Sequence, residues 1–251
     1  MKKILFVATM LAMVLSLSAQ RQMYVWQDGV KTTYEVANVD SITFSKVENP
    51  DPNTGATGSE NGYEYVDLGL SVKWATCNVG ASSPEEYGDY FAWGETEPKS
   101  TYDWSTYKYC NGSYNTLTKY NNSSSYGTVD NKTTLDLIDD AARANWGGNW
   151  RMPTTEEQQE LIDNCTWTWT TQNGVNGYKV TGTNGNSIFL PAAGCRYDSS
   201  LNIAGSYGFY WSSSLNSGYP SDAYYLYFSS SSVDWDRDYR YYGHSVRPVC
   251  Q

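Results

Sequence analysis

Beyond residue 20 the apolar positions of the chain change period twice. In QMYVWQDGVKTTYEVANVDSITF, residues 22–44, apolar and polar residues alternate on both sides of Asp28-Gly29. This predicts a β-hairpin followed by a strand-like run at Ile42 to Phe44. ENPDPNTGATGSEN, residues 48–61, is dominated by Pro, Gly, Asn and acidic or hydroxylated residues and reads as a linker. Alternation resumes in YEYVDLGLSVKWAT from Tyr63, then gives way to EYGDYFAWGETEPKSTYDWSTYKYC, an aromatic, Gly-punctuated stretch expected to be irregular.

The period then becomes helical. TTLDLIDDAARANWG places Leu135, Ile138, Ala142 and Trp146 on one face, predicting a helix over 134–145. In WRMPTTEEQQELIDN, Thr154 and Glu157 form a capping box after Pro153, predicting a helix over 155–164 with Leu161 and Ile162 inward. From Trp167 the period is two again, with Asn-Gly turns at Asn173, Asn176 and Asn184. Helices in the middle and strands at the end predict an α+β domain over 62–251, after a leader at 1–19, a small β appendage at 20–47 and the linker at 48–61. The apolar phase of each element nominates Trp74, Trp146, Trp150, Leu161, Leu190, Trp211, Leu226, Phe228, Val233 and Val246 for the core.

The leader changes the compartment. MKKILFVATMLAMVLSLSAQ carries Lys2 and Lys3, an apolar run from Ile4 to about Leu17 and small residues at Ser16, Ser18 and Ala19, the pattern of a cleaved secretory signal. The run is short for a permanent span, so a secreted or cell-surface protein without a transmembrane segment is expected. The formal charge of −10 makes a nucleic-acid partner improbable, because phosphate contacts need a positive face. Export would let disulfides persist among Cys77, Cys110, Cys165, Cys195 and Cys250, but five is odd and their spacing fits no zinc site. Buried free thiols with at most one or two bridges are expected.

NWRMPTTEEQQELI, GFYWSSS and the terminal GHSVRPV resemble the bacterial "major paralogous domain" family. The resemblance covers residues 63–250. It implies an exported protein of the C-type lectin-like fold, related in architecture to formylglycine-generating enzymes, with two helices flanking a small twisted antiparallel sheet and a ligand surface on the last strands. The enzymes of that architecture use a close pair of redox-active cysteines near the C-terminus, whereas Cys195 and Cys250 stand far apart here. That activity is therefore not expected.

Other catalytic chemistry is also poorly supplied. His244 is the chain's single histidine, and beside Gly243 it reads as an ordinary surface residue rather than the base of a triad. Asp234, Asp236 and Asp238 alternate, so on a strand they share one face while Val233, Trp235 and Arg237 share the other. Solvated carboxylates are the first expectation for them and bound calcium the second, with no other cofactor implied. A glycosidase or other hydrolase ranks below both.

The C-terminal stretch carries the functional signal. Residues 211–249 contain seven Tyr, ten Ser and four Asp but no Lys, Glu or Gln. Tyr offers contact area at low entropic cost and Ser adaptable hydrogen bonds, the composition of recognition surfaces. In DAYYLYFSSSSVDWD, Tyr224, Leu226 and Phe228 are expected to face the core while Tyr225 and Tyr227 face out. The candidate ligand-binding set is Tyr219, Asp222, Tyr225, Tyr227, Asp234, Asp236, Asp238, Tyr239, Tyr241, Tyr242 and His244. The expected function is non-catalytic recognition of an extracellular glycan or surface protein, as an adhesin or lectin-like binder. A second possibility is a variable binding protein diversified by a retroelement, since all of these residues are reachable by altering the adenines of an Asn codon. A third is Tyr and Ser serving merely as good strand residues.

Overall fold

A computed structural model describes the strands Gln22–Gln27 (β1) and Val30–Glu35 (β2) and residues 55–251. The leader, the Asp28-Gly29 turn, the run at Ile42 to Phe44 and most of the linker lie outside the described residues. β1 and β2 pair antiparallel, with Gln27 opposite Val30 and Gln22 opposite Glu35. They belong to a compact unit over Met1–Lys46, and the second unit spans Val47–Gln251.

In the second unit Gly58–Glu60 (β3), Tyr63–Val66 (β4) and Lys73–Ala75 (β5) form an antiparallel sheet completed by Val249–Cys250 (β14), in the order β14-β5-β4-β3. β3 corrects the linker boundary, since ordered strand structure begins at Gly58 rather than after Asn61. Thr166–Gln172 (β6), Val175–Thr181 (β7) and Ser187–Pro191 (β8) form a meander, and Cys195–Tyr197 (β9) pairs with Ser200–Asn202 (β10). Tyr207–Leu215 (β11), Asp222–Ser229 (β12) and Ser232–Tyr239 (β13) form a second meander, with β12 central and β13 at the edge.

The expected α+β arrangement of two helices flanking one small sheet does not form. Among the described residues the second unit has four sheets and two α-helices, Ala141–Trp146 (α1) and Thr155–Asn164 (α2), so the protein is mostly β and not a C-type lectin-like fold of that description. The helix expected over 134–145 is the clearest loss. Its first half is a short 3-10 turn, Leu137–Asp139, with Ile138 81% exposed. Asp139 turns inward instead, taking hydrogen bonds from Tyr109, Tyr120 and Lys119. Burial alone would raise its carboxyl, but those donors outweigh burial and hold it down at about 2. Asp140 then accepts from the Arg143 backbone N–H and starts the helix anew at Ala141.

α2 forms where its capping box lies. The Thr154 hydroxyl accepts from the Glu157 N–H at 3.2 Å and the Glu157 carboxylate accepts from the Thr154 N–H at 2.8 Å. The same carboxylate receives both arms of Arg151 at 2.5 and 2.7 Å. Trp150 is fully enclosed and donates its indole N–H to the Glu60 carbonyl, tying the helix entry to β3.

Two apolar clusters fill the interior, one around Phe91, Trp93, Trp150 and Trp211, the other around Trp74, Leu161, Leu190 and Phe228. The β11–β13 sheet divides them: Phe209, Trp211 and Tyr225 enter the first, Tyr210, Leu226 and Phe228 the second. A sheet covered on both faces has apolar residues at odd and even positions alike. Val233 departs from its nomination and is only half-buried at the rim of the second cluster. All five cysteines are free thiols, and burial pushes those of Cys195 and Cys250 up to about 11.

Candidate functional site

The β12–β13 hairpin builds the site. Ser229 pairs with Ser232 across a two-residue turn, which sets Tyr227 opposite Asp234, Tyr225 opposite Asp236 and Asp222 opposite Tyr239. Directly opposed residues of an antiparallel pair share a face, so the three alternating aspartates lie on the side of Tyr225 and Tyr227, while Trp235 and Arg237 lie on the side of Leu226 and Tyr224.

A cleft of about 540 Å³ opens at the far end of this edge strand. Asp236, Arg237, Asp238 and Tyr239 supply one wall, and Tyr219, Ser221 and Asp222, at the start of β12, a second. Tyr114 and Tyr126 close it from the region between β5 and α1, with their rings 6.2 Å apart. The walls are cross-tied. Asn122 donates to the Ser217 carbonyl at 3.0 Å, and the Asn216 side chain accepts from the N–H groups of Gly218 and Tyr219 at 2.9 and 3.1 Å.

The cleft's one cation is already engaged. Arg237 donates to Asp222 at 2.8 Å and lies 4.0 Å from the centre of the Tyr219 ring. Asp222 also accepts from Ser221 at 2.6 Å. The cleft's unpaired negative charge is therefore that of Asp236, with Asp238 adding to it as the pH rises past about 7. Tyr239, its ring 44% exposed, leans on Trp104 at 5.6 Å and Tyr241 at 5.7 Å, and is thus a rigid aromatic wall.

The candidate set divides. Tyr219, Asp222, Asp236, Asp238 and Tyr239 come together in the cleft, whereas Asp234 is exposed but lies outside it. Tyr227 and Tyr242 are half-buried, Tyr227 stacked with Tyr207 at 5.9 Å and Tyr242 with Tyr241 at 4.8 Å and Tyr197 at 5.2 Å. Tyr225 and Tyr241 are core residues, which corrects the expectation that they face solvent. Phe209, Trp211 and the segment carrying His244 cover the face that Tyr225 was expected to expose. Among the described residues no group of three His, Cys, Asp or Glu is placed to hold a metal ion, so the alternating aspartates do not form a calcium site on their own.

His244 is likewise not a surface residue. Its ring is fully enclosed by Trp211 at 4.1 Å, Tyr225 at 5.0 Å, Phe209 at 5.3 Å and Tyr242 at 6.0 Å. Neither ring nitrogen has a hydrogen-bond partner, and Nε2 stands 3.7 Å from Asp238 Oδ2. Burial pushes His244 down to about 3. Burial, reinforced by Asp222 and Asp236 and opposed by the Tyr239 N–H, pushes Asp238 up to about 7. At neutral pH His244 is therefore uncharged, and its contact with Asp238 is not an ion pair.

A stability signature follows from these shifts. The folded state holds the Asp238 proton more tightly than the unfolded chain, so this group's contribution falls as pH rises from about 4 to about 7 and is level above that. His244 has the opposite sign, because the unfolded chain binds its proton first, so its contribution rises between about 3 and 6.5. Asp238→Asn keeps the acceptor for the Tyr239 N–H and removes the charge. Thermal melts should show little change from the parent near pH 4 and a higher melting temperature for the variant at pH 8. Equal melting temperatures at pH 8 would place Asp238 in solvent.

The domain-of-unknown-function family DUF8237 matches residues 154–249. No curated protein and no solved structure matches the chain. The matched segment runs from the α2 cap to β14, so it contains the whole hairpin and two of the cleft's walls, but not Tyr114 or Tyr126. Those two residues, with Ser221 and Arg237, were missed by sequence reasoning. Their only sequence signal is that NGSYNTL and SSSYGT are exposed-loop compositions, each with a single aromatic residue.

Proposed function

We propose that the protein is an exported, non-catalytic recognition protein that binds an extracellular glycan or the basic segment of a surface protein in the Tyr/Asp cleft. The observation that carries this reading is the convergence of four tyrosines and three aspartates, from three separate segments, on one cleft whose sole cation is internally paired. Tyr rings offer faces for the C–H side of a sugar or for a cationic side chain, and carboxylates accept hydrogen bonds from hydroxyl or ammonium groups. Phosphorylated or carboxylated ligands would meet a negative field with no available counter-charge. Export rests on the leader, and the non-catalytic reading is supported by His244, whose sealed, neutral ring gives the cleft no histidine base.

The test is a glycan and surface-protein binding screen run on the parent, Tyr219→Ala, Asp236→Asn and Asp234→Asn. A binder found with the parent should lose at least about tenfold affinity in the first two variants, with melting temperature retained, and keep its affinity in the third. Binding that survives both cleft substitutions would place the recognition surface elsewhere.

A further inference from the structure

A second, smaller cleft of about 400 Å³ lies beside Trp235, on the face of β13 opposite Asp234, Asp236 and Asp238. This volume falls at the low end of those that hold small ligands, about 300–1,000 Å³. Trp235 forms its aromatic wall, 43% exposed and braced edge-to-face by Tyr224 at 5.3 Å and 86°. The ring thus offers one open face on the edge strand in an orientation that Tyr224 fixes.

The remaining walls are hydroxyl-bearing and held to β11. The irregular register between Trp211 and Leu215 buries Leu215 and leaves Ser214 partly exposed. The Leu215 N–H donates to the Thr133 carbonyl at 2.8 Å, and the Thr155 N–H donates to the Ser214 hydroxyl at 3.3 Å. Thr133, Thr155, Ser214 and Ser217 thus line the same cleft as the ring, with Glu156 the only charged side chain among the lining residues. Hydroxyls both donate and accept, so they suit a ligand with many hydroxyls of its own, and the lack of a cation disfavours an anionic one.

We propose that this cleft is a carbohydrate-binding site for a neutral pyranose stacked on Trp235. A pyranose with equatorial substituents presents only axial C–H groups on its face, and these carry the partial positive charge that the negative face of an indole attracts. Its equatorial hydroxyls then reach outward to the Thr and Ser hydroxyls and the Glu156 carboxylate. This proposal stands on the Trp235 cleft alone and does not depend on the reading of the Tyr/Asp cleft.

The experiment is an NMR titration of the protein labelled at the Trp indole nitrogens, with the Trp235 signal assigned by Trp235→Phe. The probes are cellotetraose, xylotetraose and chitotetraose, with a galacturonate tetramer as the anionic control. At least one neutral probe should move the Trp235 signal saturably, and the anionic probe should not. Affinity, read by isothermal titration calorimetry, should fall at least about tenfold in Trp235→Ala and in Ser217→Val, whose side chain lies at the exposed rim, and remain unchanged in Asp234→Asn, which lines neither cleft. No movement with any neutral probe up to about 10 mM, an affinity at which binding has little meaning, would overturn the proposal. So would binding retained in Ser217→Val and Trp235→Ala but lost in Tyr219→Ala, which would place the sugar in the Tyr/Asp cleft instead.

Discussion

Tyr225→Ala is expected to destabilise the protein by about 3–5 kcal/mol, the cost of removing a buried aromatic ring and leaving its cavity. The ring is enclosed by His244 at 5.0 Å, Phe209 at 5.6 Å and Trp211 at 5.9 Å, all large groups on fixed backbone that cannot collapse into the gap. Tyr225→Phe keeps these contacts and should cost far less. Chemical denaturation of the two variants checks both statements. A Tyr225→Ala protein as stable as the parent would mean that the aromatic side of β12 is a solvent face after all.

A loss of comparable size is expected from Arg240→Met. This guanidinium is fully buried and makes no ion pair among the described residues, and three backbone carbonyls satisfy it instead: Lys119 at 3.0 Å, Tyr120 at 3.0 Å and Pro220 at 3.1 Å. The Tyr107 hydroxyl accepts a further bond at 2.8 Å, and the group stacks over the Trp93 ring at 5.0 Å. Methionine fills part of the volume but strands those acceptors, at about 1–3 kcal/mol for each one left dry, so a total of at least about 3 kcal/mol is expected. Lysine should not rescue it, because one ammonium cannot span the fork of acceptors. Arg240 also ties Lys119 and Tyr120 to Pro220, which follows Tyr219, so the substitution should weaken cleft binding as well. Denaturation and a binding assay on this one variant would show whether fold and cleft are joined in this way.

Local chemistry was the legible part of this sequence. The Thr154–Glu157 box starts α2 because its partners are three residues apart, and Ser229 to Ser232 closes the β12–β13 hairpin through a turn contained in the same few residues. The period-two pattern of DAYYLYF placed the strand correctly but not its environment. Tyr is ambiguous there, because a ring can be core while its hydroxyl reaches the rim, and both faces of β12 proved to be covered. The helix expected over 134–145 failed for a related reason. The apolar phase of Leu135 and Ile138 was outweighed by Asp139, whose partners Tyr109 and Lys119 lie 20 or more residues away in the chain. Of the site, sequence reasoning found the hairpin side through the alternating aspartates and missed the Tyr114–Tyr126 wall, which only the long-range packing of an irregular segment brings near Tyr219.

The division between cleft tyrosines and core tyrosines is the central claim, and one paired measurement addresses it. Tyr219→Ala and Tyr225→Ala should be compared side by side, each by thermal melt and by affinity for whatever ligand the parent captures in the screen. Tyr219→Ala should keep its melting temperature and lose the ligand, while Tyr225→Ala should melt far lower. A Tyr219→Ala protein that unfolds like Tyr225→Ala, or that folds and binds as the parent does, would contradict the account.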